Sequence, residues 1–142
     1  MRYLTILFLV ATACAQVPER IYVPPDKPEM PFSNAVVVDD TIYLAGHIGF
    51  DAKTGKPPVK VEDEARAVLD AIKATLAKSD ATMEDLVSVQ VFCSDLSLFA
   101  QWNAVYRTYF NGKFPARAFI GSGKLLFNAR FEVQGIAIKR HH

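Results

Sequence analysis

The sequence predicts an α+β domain: a mixed sheet in the order β-β-α-β-α-β-β, with two helices packed on one of its faces. Three observations carry the prediction. Residues 35–38 and 41–45 are β-rich runs around a two-residue Asp39-Asp40 turn, a hairpin signature. Two stretches, 60–78 and 98–110, repeat apolar residues at helical spacing. Strand-like runs at 85–93, 119–120 and 130–138 lie between and after the helices. With 142 residues, 51% apolar and 22% charged, the chain can bury one core, is short for two, and is too apolar to stay disordered.

The first residues read as a separate object. Met1-Arg2-Tyr3 is a short positive segment and residues 4–13 an apolar run, too short to span a bilayer, so 1–15 reads as a signal peptide. Ala13-Cys14-Ala15 fits cleavage before Gln16; alternatively Ala11-Thr12-Ala13-Cys14 resembles a bacterial lipobox, with Cys14 lipidated and the protein membrane-attached through it. The expectation is an exported protein, periplasmic or secreted, or a cytoplasmic one if the segment is no functional signal. Residues 16–31, holding Pro18, Pro24, Pro25, Pro28 and Pro31, read as an extended lead-in, and 32–142 as a single domain.

Within that domain the hairpin is followed by Gly46, Gly49 and a polar loop at 51–58. In 60–78, Ala65, Val68, Leu69, Ile72 and Leu76 share a helical face, and Glu62, Asp63 and Glu64 suit the first turn of a helix. Strand 85–93 ends at Cys93, which reads as a small buried hydrophobe. Ser94-Asp95-Leu96-Ser97 offers caps to the second helix, whose face carries Phe99, Trp102 and Tyr106, and Asn111-Gly112 ends it. In the last strand, Ala129, Phe131, Val133, Gly135 and Ala137 lie on one side. Arg130, Glu132, Gln134, Ile136 and Ile138 form a mixed second side, of the kind that contacts another subunit, so a homo-oligomer is expected.

Charge and motifs exclude several classes. Without Arg2 the chain holds 15 basic residues (16 − 1) against 15 acidic ones and no basic run, so no nucleic acid partner is expected. His47 stands alone and His141-His142 is a terminal pair, so no metal site is expected. Gly121-Ser122-Gly123-Lys124 lacks the flanking spacing of a phosphate loop, and Ser122 has no histidine at usable spacing for a hydrolase triad.

Two charged residues stand out. In Phe114-Pro115-Ala116-Arg117-Ala118, the guanidinium of Arg117 sits ahead of an apolar run, where it is either an ordinary strand-edge charge or a bidentate carboxylate grip. Glu132, between Phe131 and Val133, either pairs with Arg130 or Lys124 or orients a water. Their separation of 15 positions along the chain allows a meeting across the sheet or an interface. Asn103, amid aromatics, caps a loop or polarises a substrate, and Gly46 permits close backbone approach.

Residues 31–49, 99–106 (Phe-Ala-Gln-Trp-Asn-Ala-Val-Tyr), 114–118 (Phe-Pro-Ala-Arg-Ala) and 131–138 (Phe-Glu-Val-Gln-Gly-Ile-Ala-Ile) together resemble the reactive intermediate deaminase (Rid) family, also called the YjgF or endoribonuclease L-PSP family. The resemblance spans roughly residues 18–140. It implies a chorismate-mutase-like fold and a homotrimer with a site in each cleft between subunits. It also implies cofactor-independent hydrolysis of reactive 2-enamino and 2-imino acids, such as 2-aminoacrylate and its imine, to 2-keto acids and ammonia. On this resemblance Arg117 grips the substrate carboxylate, Glu132 positions the attacking water, Gly46 contacts the ligand and Asn103 lines the cleft.

The chain departs from the family pattern around that cleft. Phe32 stands where a tyrosine is common, Ala118 follows the Pro-Ala-Arg element in place of a frequent serine, and Phe119-Ile120 and residues 121–123 alter the following stretch. His47 replaces a frequent glutamine, and Gln134 the second glutamate of the last strand. Phe32 and Ala118 therefore join the substrate-binding candidates. Two other readings stand beside the deaminase: a non-catalytic trimer that binds small carboxylates or acts as a chaperone, and, more weakly, an endoribonuclease.

Overall fold

The computed structural model describes residues 17–140. The segment 1–15 that reads as a signal peptide, with Cys14, and the pair His141 and His142 lie outside the described residues.

The predicted α+β architecture is present, with one strand more than expected. Eight elements follow in order: β1 (Arg20–Val23), β2 (Ala35–Val38), β3 (Thr41–Ile48), α1 (Val61–Ala77), β4 (Leu86–Cys93), α2 (Phe99–Tyr106), β5 (Ala116–Gly121) and β6 (Phe131–Ile138). They form a six-stranded sheet in the spatial order β1-β2-β3-β6-β4-β5, antiparallel except for the parallel pair β4–β5.

The additional strand lies inside residues 16–31, the stretch expected as an extended lead-in before a domain at 32–142. Arg20-Ile21-Tyr22-Val23 pairs antiparallel with β2, from Arg20↔Val38 to Val23↔Ala35. Four residues rich in β-branched and aromatic side chains suffice at an edge, and Pro24-Pro25 ends the strand instead of forbidding it.

The hairpin forms as the sequence predicts. Val38 pairs with Thr41 across the Asp39-Asp40 turn, where Asp39 takes the left-handed conformation that short Asx side chains tolerate (φ 51°). Helix α1 buries Ala65, Val68, Leu69, Ile72 and Leu76 on the sheet. Gly49 is required where the chain leaves β3: a Cβ there would stand 2.5 Å from the Val68 nitrogen and 2.7 Å from the Glu64 carbonyl. Helix α2 is shorter than the expected 98–110. Its first and last turns, Leu96–Leu98 and Arg107–Tyr109, wind as 3₁₀ helix, which keeps an i, i+3 apolar face while ending the α hydrogen-bond ladder. Trp102 and Phe131, both fully buried, join α2 to the sheet with ring centroids 4.7 Å apart. Cys93 is buried as expected; burial pushes its thiol pKa up, and its Sγ–H donates to the Asp95 carbonyl at 3.0 Å.

Both helices cover one face of the sheet. The other face carries side chains in register across the strands: Tyr22, Val36, Tyr43, Ile136 and Ser88 in one row, and Ile48, Glu132, Phe92 and Ile120 in another. Tyr22, Tyr43, Ile120 and Ile138 are exposed.

Candidate active site

Residues Ala116–Gly121 form the edge strand beside β4. The register Val89↔Arg117 and Val91↔Phe119 puts Arg117 on the helix-covered face, because Val89 and Val91 are buried there. Helix α2 supplies the floor. The Arg117 Cζ lies 4.6 Å from the Tyr106 ring centroid, 5.8 Å from Phe99 and 6.0 Å from Phe119. Stacking of this kind contributes about 0.5–2 kcal/mol and occupies a face of the guanidinium, leaving its in-plane N–H groups available. The ion pairs among the described residues use Lys78, Arg130 and Arg140, not Arg117. Tyr106 is buried, its hydroxyl without a hydrogen-bond partner among the described residues. Burial pushes its pKa up to about 12, against the opposing pull of the Arg117 charge. Asn103 is half-buried and lies four residues after Phe99 and three before Tyr106, on the same helical stripe.

Glu132 is built into a different place. Strand β3 carries a bulge: Leu44 pairs with Gly135 and His47 with Val133, so Ala45 and Gly46 together oppose one residue of β6. The extra residue turns His47 inward, where it is buried, and sets Gly46 beside Glu132. A Cβ at Gly46 would overlap Glu132 Oε1 and approach its Cδ to 3.2 Å. The carboxylate therefore lies directly over the Gly46 backbone. With Lys124, Leu125, Leu126, Phe127 and Asn128, Glu132 lines an open depression of about 590 Å³. Its rim is held in an uncommon conformation: Phe127 and Asn128 are both left-handed (φ 57° and 55°), and Phe127 meets Phe50 edge-on at 5.3 Å.

Beneath the bulge, His47 Nδ1 lies 2.8 Å from the Ala45 carbonyl oxygen and Nε2 lies 2.9 Å from Thr75 Oγ1 on α1. A neutral ring satisfies both contacts, donating from Nδ1 and accepting at Nε2. Burial lowers the His47 pKa from its usual value, more than the Ala45 contact and Asp26 raise it, and Lys78 lowers it further.

The six predicted site residues thus separate into groups. Gly46 and Glu132 lie together on the open face, and the register Gln90↔Ala118 and Gln90↔Gln134 places Ala118 on that face too. Arg117 and Asn103 belong to the helix-covered side at the β5 edge. Phe32 is exposed in the loop before β2. Glu132 pairs with Phe92, whereas Arg117 pairs with Val89, an odd number of residues away on β4, so the two charges project from opposite faces. Within one chain they do not meet.

The sequence did not show which carboxylate Arg130 would take. It is bound not by Glu132 but by Glu64, which is fully buried in the first turn of α1 and also accepts from the Arg130 and Phe131 backbone N–H groups at 2.6 and 3.2 Å. The aromatic floor of Arg117 and the 124–128 rim were likewise not read as parts of a site; the helical Phe99–Tyr106 spacing was the signal for the floor.

A sequence profile of the endoribonuclease L-PSP family matches residues 24–139. The chain belongs to that family. Its relatives in this Rid/YjgF group include a 2-iminobutanoate/2-iminopropanoate deaminase of Dermatophagoides farinae, 36% identical over 124 residues, covering 85% of this chain and 97% of that protein. A protein of the same description from Mus musculus is 34% identical, covering 77% of this chain and 82% of the relative. Among solved structures, the YjgF gene product of E. coli superposes with a TM-score of 0.73 at 34% identity, over 78% of this chain and 89% of that one. RidA from a Psychrobacter species does so at 0.75 and 28%, over 88% and 100%. These Rid/YjgF structures share the mixed sheet with two helices on one face.

Proposed function

We propose that this protein hydrolyses reactive 2-imino acids and their enamine tautomers to 2-keto acids and ammonia, as a homotrimer whose sites lie between subunits. One observation carries the reading: a guanidinium laid on three rings with its in-plane donors uncommitted, and a carboxylate seated over a glycine backbone, occupy opposite faces of the sheet in a chain whose relatives are named deaminases. Opposite faces of one chain become adjacent when the open face of one copy packs against the β5 edge of another. The apolar side chains Tyr43 and Ile136 in one row, and Phe92 and Ile120 beside Glu132 in the other, suit such packing.

The chemistry needs little more. Arg117 takes the substrate carboxylate through two parallel N–H···O bonds, fixing the imine carbon. Glu132 from the neighbouring copy takes a proton from a water as its oxygen bonds to that carbon and passes it to the imine nitrogen, giving a neutral carbinolamine. It then carries the hydroxyl proton of the carbinolamine to the nitrogen as the C–N bond breaks, releasing ammonia and leaving the keto acid. An imine carbon is already electrophilic, so orientation supplies most of the acceleration. The leader reading would place this chemistry outside the cytoplasm, and the mass of the mature protein tests that.

The test is keto-acid release from freshly generated 2-iminopropanoate, 2-iminobutanoate and larger imino acids. Acceleration proportional to protein concentration supports the reading. Tight binding of 2-keto acids without turnover on any of the panel would replace it by the non-catalytic binding trimer. Gly46→Ala provides a sharper test of the Glu132 seat. The overlap falls on the mobile end of the Glu132 side chain, so stability changes by less than about 1 kcal/mol, while the displaced carboxylate lowers kcat by about tenfold or more. Paired thermal melts and initial rates read the two effects separately.

A further inference from the structure

We propose that His47 is a positioning residue for the reaction: by tying the β3 bulge to helix α1, it sets the backbone on which the Glu132 carboxylate rests. This inference rests on the deaminase reading of Glu132, but its geometry is independent of it. A bulge leaves ladder groups unpaired and gives the strand a local choice of conformation. Here the choice is fixed from below. His47 spans the bulge to the Ala45 carbonyl at 2.8 Å and reaches Thr75 Oγ1 at 2.9 Å, while the residue between, Gly46, forms the floor under Glu132 Oε1. Ala45 is also held from the other side, its N–H donating to the Asn34 carbonyl at 3.0 Å. The imidazole is the link between a buried helix side chain and the surface carboxylate.

The same link makes the site sensitive to protons. The charged groups acting on His47 are Asp26, from the loop before β2, and Lys78, at the end of α1; they pair with each other at 3.0 Å and oppose one another at the ring. Burial therefore decides the direction, and the folded protein favours the neutral ring. The sign follows. With the folded pKa below the unfolded value of about 6.5, the stabilisation is complete above that pH, and it is lost as pH falls from there through the folded pKa. Protonation would put a second N–H on Nε2, reverse the Thr75 contact and load the bulge with a buried charge.

Three variants and one spectroscopic titration test the proposal. His47→Ala lowers kcat about tenfold with KM changed less than about twofold, because positioning of a reacting group is lost and carboxylate binding is not. His47→Asn keeps a donor near the Nδ1 position and cannot protonate. It recovers most of the rate at neutral pH and lacks the part of the acid limb of log kcat that wild type shows below about pH 6.5. Thr75→Val, which cuts only the Nε2 contact, lies between the two. In wild type followed by NMR, the Gly46 amide and the Glu132 side-chain signals shift with the midpoint of the His47 ring. His47→Ala protein that is folded and as fast as wild type would overturn the proposal, as would Gly46 and Glu132 signals indifferent to the His47 titration. Wild-type protein without turnover would instead defeat the deaminase reading, and the NMR titration would still decide the role of His47. If His47→Ala does not fold, the Asn and Val variants with the titration carry the test.

Discussion

Arg117→Ala lowers kcat/KM for 2-imino acids by roughly 30- to 1000-fold, the equivalent of about 2–4 kcal/mol for removing one partner of a desolvated charge pair. Arg117→Lys recovers little of it. A lysine ammonium is a point charge that offers no planar fork, and it gives up the stacked geometry over Tyr106 and Phe99. The larger consequence concerns the assembly. Glu132→Gln protein is also slow, since the amide accepts no proton from water. Because Arg117 and Glu132 project from opposite faces of one chain, each proposed site takes one from each of two copies. Co-refolding equal amounts of Arg117→Ala and Glu132→Gln chains then regenerates sites with both native residues, about a quarter of the total if copies associate at random. Keto-acid release recovering towards that fraction, from two preparations that are each nearly inactive, is the expected result. A mixture no faster than its two components would refute the shared site.

The parts legible in the sequence were those governed by local periodicity. The β-rich runs 35–38 and 41–45 around the Asp39-Asp40 turn pointed to the hairpin, and the Ala65–Leu76 spacing to the buried face of α1. The Phe131-Val133-Ala137 alternation gave the core side of β6. What the sequence left open was decided by tertiary partners. Four residues, Arg20–Val23, become a strand only because β2 presents an edge to them. Their proline-rich surroundings suggested only an extended lead-in. Arg117 and Glu132 were each recognisable, but their placement on opposite faces depends on β4 pairing with β5 on one side and β6 on the other, a register no local pattern encodes. His47 was visible as a solitary histidine standing where the family often has glutamine, with no role attached to it. One extra residue in β3 turns it inward, and a bulge of that kind leaves no clear trace in composition.

Glu64 shows the same limit in energetic form, and it carries the largest stability prediction. Read as one of three acids in a helical first turn, it suggested a helix-dipole contact of about 0.5 kcal/mol. In the fold it is fully buried, taking the Arg130 Nε–H and the Arg130 and Phe131 backbone N–H groups, while Arg130 also donates to the Val59 carbonyl at 2.9 Å and to that of Pro58. Glu64→Ala leaves those donors without their acceptor and a guanidinium, a quarter exposed, without its counter-charge. A loss of about 3–4 kcal/mol is expected, at the lower end for a broken buried pair because solvent reaches part of the Arg130 side chain. The melting temperature then falls by roughly 10–20 °C, with the urea m-value unchanged if only stability is affected. Replacing both partners by apolar residues costs less than Glu64→Ala, because no lone charge remains; a double-mutant cycle measures the difference as coupling. If Glu64→Ala melts within a few degrees of wild type, the pair is not what fastens the first turn of α1 to the start of β6. The link matters for function because Glu132 is two residues beyond Arg130. The strand that presents the Glu132 carboxylate to the open face is pinned from the opposite face by a buried carboxylate outside the proposed site, so Glu64→Ala is expected to lose activity in step with its unfolding, not through kcat of the folded protein.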